Sequence, residues 1–129
     1  MKIKVTMQQV LEFKEVVGDF REKKLPLPGA YKLLKISNAL DKDMEFYHEK
    51  FQNIIETFAK KDDDGNYVYS DDGSQIIIQE DKIDECNTAL EELMGLEIEV
   101  DNLDLSIDNF GQDAEYTLEE LEKFTPFMN

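Results

Sequence analysis

The chain has 129 residues, of which 41% are hydrophobic and 34% are charged, and its formal net charge is −16. This length suits one domain with a sizeable core, and the apolar content argues against a chain that is disordered throughout. No segment has the pattern of a membrane span or a signal peptide, and the charge disfavours direct contact with nucleic acid or an anionic membrane. We therefore expect a cytoplasmic protein.

The charge is divided unevenly along the chain. Residues 1–61 hold 12 basic and 9 acidic residues, a net charge of +3, whereas residues 62–129 hold 2 basic and 21 acidic residues, a net charge of −19. We interpret residues 1–129 as a single domain with a helical half at 1–61 and an acidic half at 62–129. An acidic half of this kind favours a protein partner with a basic surface.

The first predicted elements are a short strand at residues 2–5 and a helix that begins after Thr6. Thr6 and Gln9 have the spacing of a capping box. Apolar residues then recur every three or four positions, as on one face of a helix: Val10, Phe13, Val17 and Phe20. We expect the helix to end near Lys23 and Lys24, whose positive charges suit a helix C-terminus.

A proline-marked break, Leu25-Pro26-Leu27-Pro28, precedes the longest predicted element. Two series that each repeat every seven residues give coiled-coil spacing over about four heptads: Leu33, Leu40, Tyr47 and Ile54, and Ser37, Met44, Phe51 and Phe58. The pattern predicts one helix over residues 30–60, about 45 Å long. The rest of the chain could cover its whole apolar stripe. The alternative is an oligomer or partner seam at the distal end: Phe51, Ile54, Ile55 and Phe58.

The acidic half contains shorter predicted elements. Two β-rich runs, 67–69 and 75–78, flank an Asp72-Gly73 turn and predict a hairpin. A helix is predicted at 80–94, and alternating strands at 96–100 and 103–107 have opposite parity, which places a turn or bulge at Asp101-Asn102. Thr117 and Glu120 form a second capping box, opening a short helix that directs three apolar side chains inward: Leu118, Leu121 and Phe124.

The predicted fold class is therefore α+β and mostly helical. It consists of a helical hairpin with one long heptad-patterned helix, a small antiparallel β-element and two further short helices.

The sequence offers no recognisable catalytic motif. His48, the only histidine, has no nucleophile motif beside it, and Cys86, the only cysteine, fits a buried and inert thiol. The run from Asp62 to Gly65 resembles a calcium loop, but that register would place Lys60 at the first ligand position. We predict no catalytic residue, no cofactor, no specific metal site and no enzyme activity.

The acidic half suggests instead an electrostatic decoy, in which carboxylates occupy a nucleic-acid groove on a partner protein. The alternative is a solvated surface that keeps the protein soluble. The candidate partner-binding residues form two clusters: Asp62, Asp63, Asp64, Asp71 and Asp72, and Glu97, Glu99, Asp101, Asp104 and Asp108.

The order of these segments resembles a family of small uncharacterised proteins encoded by tailed phages and prophages of Gram-positive, low-GC bacteria. The segments that carry the resemblance are Met1-Lys2-Ile3-Lys4, Thr6-Met7-Gln8-Gln9, Leu25-Pro26-Leu27-Pro28, Lys61-Asp62-Asp63-Asp64-Gly65-Asn66, Glu97-Ile98-Glu99-Val100 and Thr117-Leu118-Glu119-Glu120-Leu121. The resemblance implies a phage-encoded protein that acts in the cytoplasm of a bacterial host and carries no catalytic residues.

Three functions follow as hypotheses. The first is an acidic inhibitor of a host nucleic-acid-handling or defence protein, for which an anti-CRISPR protein would be one example. The second is a virion-assembly protein that forms homo-oligomers through the long helix. The third is an enzyme that uses scattered carboxylates and a divalent metal.

Overall fold

The predicted strands at 2–5 and 96–100 form one antiparallel sheet in a computed structural model that describes residues 1–129. Strand β1 spans Lys2–Thr6 and strand β2 spans Glu97–Asp101, with Val5 opposite Ile98. Val5, Ile98 and the neighbouring Val100 are buried, while the charged residues between them are exposed, as the two-residue period of a strand requires. The strands predicted at 2–5 and 96–100 are therefore confirmed.

The main core lies among five phenylalanines from both ends of the chain. Helix α1, Met7–Asp19, begins at the predicted Thr6–Gln9 capping box and ends four or five residues before the predicted lysines. The ring centroids of Phe13 and Phe127 lie 4.1 Å apart in a stacked pair. Edge-to-face or tilted contacts complete the cluster, which consists of Phe13, Phe20, Phe110, Phe124 and Phe127.

The predicted long helix is wrong as a single element. Helix α2 spans Leu27–Ala39 with Leu40 as its C-cap, and helix α3 then runs over Asp41–Phe58. The Ser37 carbonyl, which would accept from the amide four residues later in a continuous helix, instead accepts from the Leu40 amide at 3.1 Å and from Lys14 Nζ at 2.7 Å. Lys14 Nζ also lies 2.6 Å from Asp41 Oδ1, so one lysine stabilises the end of α2 and the start of α3.

The predicted strand at 103–107 is also wrong. Leu103 and Asp104 have positive φ angles of 53° and 56°, and Ile107–Phe110 forms a 3-10 turn. The side chains of Asp101 and Asn102 accept from the amides two residues later, at 2.8 and 3.0 Å, and these Asx turns outweigh the strand pattern. The predicted turn at this point is confirmed.

The last helix, α5, spans Leu118–Phe124 and begins at the predicted Thr117–Glu120 capping box. Phe124 is buried as expected, but Leu118 is 80% exposed, so the prediction that it faces the core is wrong. A 3-10 turn at Thr125–Phe127 follows and buries Phe127.

The chain divides into two compact units. Unit 1 comprises Met1–Glu45 and Gly95–Asn129, and unit 2 comprises Phe46–Met94. These boundaries differ from the division by charge at residues 61 and 62, because unit 1 takes residues from both halves of the sequence. The fold is α+β and mostly helical, as predicted, with five α-helices and one two-stranded sheet. None of the helices combines the length and the hydropathy that a membrane crossing needs.

Unit 2 contains most of α3, a small β-element and helix α4, Ile83–Met94. Three segments, 59–61, 67–69 and 76–78, form the β-element through isolated antiparallel bridges. Three backbone hydrogen bonds close a ring, in which Lys60 donates to Ile77, Ile77 to Val68 and Val68 to Lys60, at 2.8 to 3.0 Å. The predicted pairing of 67–69 with 75–78 is confirmed at Tyr69 and Ile76, and residues 59–61 join it as a third segment.

The core of unit 2 is thin. Of the 18 buried apolar residues in the chain, only three belong to unit 2: Ala59, Cys86 and Leu93. No residue of α3 is buried, although its apolar and polar residues are segregated as in an amphipathic helix. The apolar side chains of α3 are therefore only partly covered within unit 2.

Candidate functional site

The first predicted acidic cluster lies in the two turns that connect the segments of the β-element. Asp62 Oδ1 accepts hydrogen bonds from the amides of Asp64 and Asn66, at 3.0 and 2.9 Å. Asp72 Oδ1 accepts from the Ser70 hydroxyl at 2.6 Å and from the amide and hydroxyl of Ser74 at 3.0 and 2.8 Å. These donors, with Ser70 first, lower the pKa of Asp72 to about 2. Asp62 and Asp72 therefore shape the turns as well as carry charge.

The other three aspartates of this cluster present free carboxylates. Asp63, Asp64 and Asp71 are exposed, and their side chains make no hydrogen bond within the protein. No lysine or arginine forms an ion pair with any of the five aspartates, since the nearby Lys61 pairs with Glu56. The negative charge of these turns is therefore left open to solvent or to a partner.

The second predicted cluster lies in unit 1 and is interspersed with cations. Strand β1 places Lys2 opposite Asp101 and Lys4 opposite Glu99. The amino group of Met1 lies 3.0 Å from Asp101 and 3.8 Å from Asp104, and Lys2 Nζ lies 3.5 Å from Glu99. The Leu103 amide and the Met1 amino group lower the pKa of Asp101, and Asp101 in turn raises the pKa of that amino group.

Glu97 and Asp108, the two remaining members of the second cluster, are exposed and unpaired. The two predicted clusters thus belong to different units and differ in character. The first cluster forms no ion pair, whereas three of the five carboxylates in the second cluster pair with cations.

A groove in unit 2 lies between α3 and the β-element. It has a volume of about 590 Å³, within the range of roughly 300–1,000 Å³ that is typical of binding pockets. Four half-buried apolar side chains line it: Phe51, Ile55, Tyr67 and Ile76. Exposed polar residues complete its lining: His48, Gln52, Asn53 and Glu56.

Only two of the four residues in the predicted oligomer or partner seam on α3 line this groove. Phe51 and Ile55 line it, whereas Ile54 and Phe58 are half-buried outside it. Sequence reasoning missed Tyr67, Ile76 and Glu56 as members of the same surface. The i, i+3, i+4 and i+7 spacing of His48, Phe51, Gln52 and Ile55 marks the helical wall, but no pattern in the sequence indicates which β-segment faces it.

Glu56 ties the two walls of the groove together. Its carboxylate accepts hydrogen bonds from Lys61 Nζ and from the Tyr67 hydroxyl. Lys61 and then Tyr67 lower the pKa of Glu56, and the carboxylate raises the pKa of Tyr67. The tyrosine ring is thereby held beside the helix, and the Glu56 charge is compensated by Lys61. Four of the eight lining residues are apolar, and the turns that precede Tyr67 and Ile76 carry the aspartates.

The remaining candidates for chemistry are dispersed. His48 is exposed on the groove wall, with its ring centroid 5.4 Å from that of Tyr47. Cys86 is buried on α4, and burial raises the pKa of its thiol. No three His, Cys, Asp or Glu side chains are grouped so that they could hold a metal ion.

Comparison with protein-family models, with curated proteins and with solved structures finds no match to this chain.

Proposed function

We propose that the protein is a non-catalytic binding module that captures a basic protein through the acidic surface of unit 2. The observation that carries the proposal is the contrast between the two aspartate-rich regions. The five aspartates of the β-element turns have no cationic neighbour in an ion pair, whereas the cluster beside β2 is interleaved with Lys2, Lys4 and the amino group of Met1.

The net charge of unit 2 supports the same conclusion. Phe46–Met94 contains 13 acidic and four basic residues, a net charge of −9. Two of its four lysines form ion pairs, Lys61 with Glu56 and Lys82 with Glu85. A field of one sign over an exposed surface accelerates encounters with an oppositely charged partner, and this attraction is screened over about 8–10 Å in physiological salt.

A nucleic-acid mimic is the specific form of this proposal. The free carboxylates of Asp63, Asp64 and Asp71 would take the place of backbone phosphates on a protein that handles nucleic acid. With the phage origin that the sequence resemblance implies, the partner would be a host or defence protein. The mimic would then act by occupying that protein's phosphate-binding surface.

Self-association through α3 is the second candidate function, and it is supported by the absence of any buried residue on that helix. It corresponds to the virion-assembly hypothesis. The charge of unit 2 weighs against it, because two copies that meet through this surface bring two units of net charge −9 together.

The test compares three proteins as bait in a lysate of the bacterial host, at low and at raised salt. They are the wild type, a turn variant with Asp63→Asn, Asp64→Asn and Asp71→Asn, and a sheet variant with Glu97→Gln, Glu99→Gln and Asp108→Asn. Both variants remove three charges, and the turn variant spares the two aspartates that shape the turns.

We expect the wild type and the sheet variant to retain the same basic protein, identified by mass spectrometry. The turn variant should lose it, and raised salt should release it from the wild type and from the sheet variant. Retention that is insensitive to salt, or that is equal for the two variants, would contradict the proposal. Recovery of the bait alone, as an oligomer, would favour self-association as the function.

A further inference from the structure

We propose that the groove of unit 2 binds one amphipathic, basic helical segment of a protein partner. The apolar side chains of that segment would enter the groove, and its lysines or arginines would face the aspartate turns. This inference rests on the proposed function, which it deepens by naming the chemistry of the bound segment.

The size of the groove fits two turns of a helix. Its helical wall extends from His48 to Ile55, about 10 Å along the axis at 1.5 Å per residue. Helices that dock into grooves use apolar anchors at i, i+3 or i+4, and i+7, which span the same length. The apolar lining is shared by both walls, with Phe51 and Ile55 on one side and Tyr67 and Ile76 on the other.

The groove is preformed rather than dependent on the partner for its shape. The bond from Tyr67 to Glu56 connects the β-element to α3, and the closed ring of backbone hydrogen bonds holds Lys60, Val68 and Ile77 together. A partner therefore binds without a large cost for ordering the groove.

The charge of the surrounding surface selects the partner. An acidic or neutral apolar segment would fill the groove but would form no ion pairs with the aspartate turns. A basic amphipathic segment would contact the apolar lining and also form ion pairs with the turns. A second copy of the chain fits poorly, since it brings a net charge of −16 toward an acidic surface. Naked nucleic acid is repelled by the same field.

The experiment uses two fluorescein-labelled synthetic peptides with the full-length protein. In the first, leucines at i, i+3, i+4 and i+7 are set among lysines on a helix, and in the second the same leucines are replaced by alanine at equal charge. Fluorescence anisotropy measures the dissociation constant of each peptide. We expect the leucine peptide to bind at least about tenfold more tightly, since each 1.4 kcal/mol of anchoring gives a factor of ten.

Matched variants locate the anchoring site. Phe51→Ala and Ile55→Ala should each reduce the ratio of the two dissociation constants toward one. Ile83→Ala, a control on α4 at a residue that is 45% exposed and outside the groove, should leave the ratio unchanged. A ratio that Phe51→Ala and Ile55→Ala do not change would overturn the proposal, as would equal losses in all three variants.

A second measurement needs no truncation of the groove. The chain contains no tryptophan, so His48→Trp at an exposed position of the groove introduces a single tryptophan, which can be excited selectively over the five tyrosines. Its emission should shift to shorter wavelength with the leucine peptide and not with the alanine peptide. An unchanged emission spectrum when the leucine peptide is bound would show that the peptide binds elsewhere, which would refute the groove as the binding site.

The outcomes separate this inference from the proposed function. Equal, salt-sensitive binding of both peptides would leave the acidic surface as a binding site and eliminate the groove. Failure of both basic peptides to bind at low salt would contradict both proposals. A dimer of the free protein at micromolar concentration that Ile55→Ala converts to a monomer would show that a second copy occupies the groove, which overturns the inference.

Discussion

The same substitution at two helical glycines should have opposite effects on stability. Gly29 lies in the first turn of α2, and a Cβ added there would lie 2.0 Å from the carbonyl oxygen of Asn109 and 2.9 Å from its carbonyl carbon. Gly18 lies in the last turn of α1, and a Cβ added there would have no neighbouring atom within 4 Å. Gly18→Ala is thus a matched control for Gly29→Ala.

The magnitudes follow from the packing at each site. Alanine in place of glycine in a helix gains about 0.5–1 kcal/mol, so Gly18→Ala should stabilise the protein by that amount. At Gly29 the new methyl group meets backbone, which cannot rotate away as a side chain can, and forcing extra atoms into a packed site costs about 1–3 kcal/mol. The gain offsets part of this cost, which leaves a net destabilisation of about 1–2 kcal/mol.

Urea and thermal unfolding followed by far-ultraviolet circular dichroism would measure both effects. At roughly 4 °C per kcal/mol for a chain of this size, we expect Tm to rise by about 2–4 °C in Gly18→Ala and to fall by about 4–8 °C in Gly29→Ala. The reasoning would be refuted if Gly29→Ala were as stable as the wild type. That result would mean that the 3-10 turn at Ile107–Phe110 does not pack against the start of α2.

Two further predictions concern one group in each unit. The pKa of Asp72 is lowered from its ordinary value of 3.8 to about 2 in the folded protein. Ionised Asp72 therefore stabilises the fold fully above pH 3.8, and this stabilisation is lost as the pH falls toward 2. A carboxyl NMR titration of Asp72 with a midpoint near 3.8 would disprove this. Phe13→Leu should lower the free energy of unfolding by about 1–2 kcal/mol, because Phe13 is fully buried against Phe127. Phe46→Leu, at a 42% exposed position, should change it by less than about 0.5 kcal/mol. Equal effects of the two substitutions in urea titrations would contradict the assignment of the core.

Local signals in the sequence predicted the elements whose causes are also local. The Thr6–Gln9 and Thr117–Glu120 capping boxes satisfy free amides at helix starts by bonds that reach only three residues, and both are present. The alternating pattern at 96–100 also predicted β2 correctly, because neighbouring residues of a strand point to opposite faces and only one face of β2 is buried. Its pairing with β1 across the length of the chain had no local signal.

The division at Leu40 was missed because its cause is a tertiary contact. The heptad pattern continues through Leu40, and Lys14, from a different helix, joins the Leu40 amide as a donor to the Ser37 carbonyl there. One local sign was available, since Asp41 and Asp43 suit the first turn of a new helix. The aspartate turns could be predicted as turns. Their lack of ion pairs could not, because it depends on which acidic residue each lysine contacts in the folded protein, as Lys61 contacts Glu56.

The thin core and the uncompensated charge of unit 2 are physically related. Half-buried apolar side chains such as Phe51 and Ile55 forgo part of the stabilisation of about 25 cal/mol per Å² that full burial provides, and crowded aspartates repel one another. Both effects lower the stability of unit 2 in isolation. A basic amphipathic partner removes both, because it covers the apolar surface and neutralises the turns. Binding should therefore raise the stability of unit 2, and the increase should grow with the logarithm of the partner concentration above the dissociation constant. A solvated acidic surface alone would explain the charge, but it gives no reason for the apolar groove beside it.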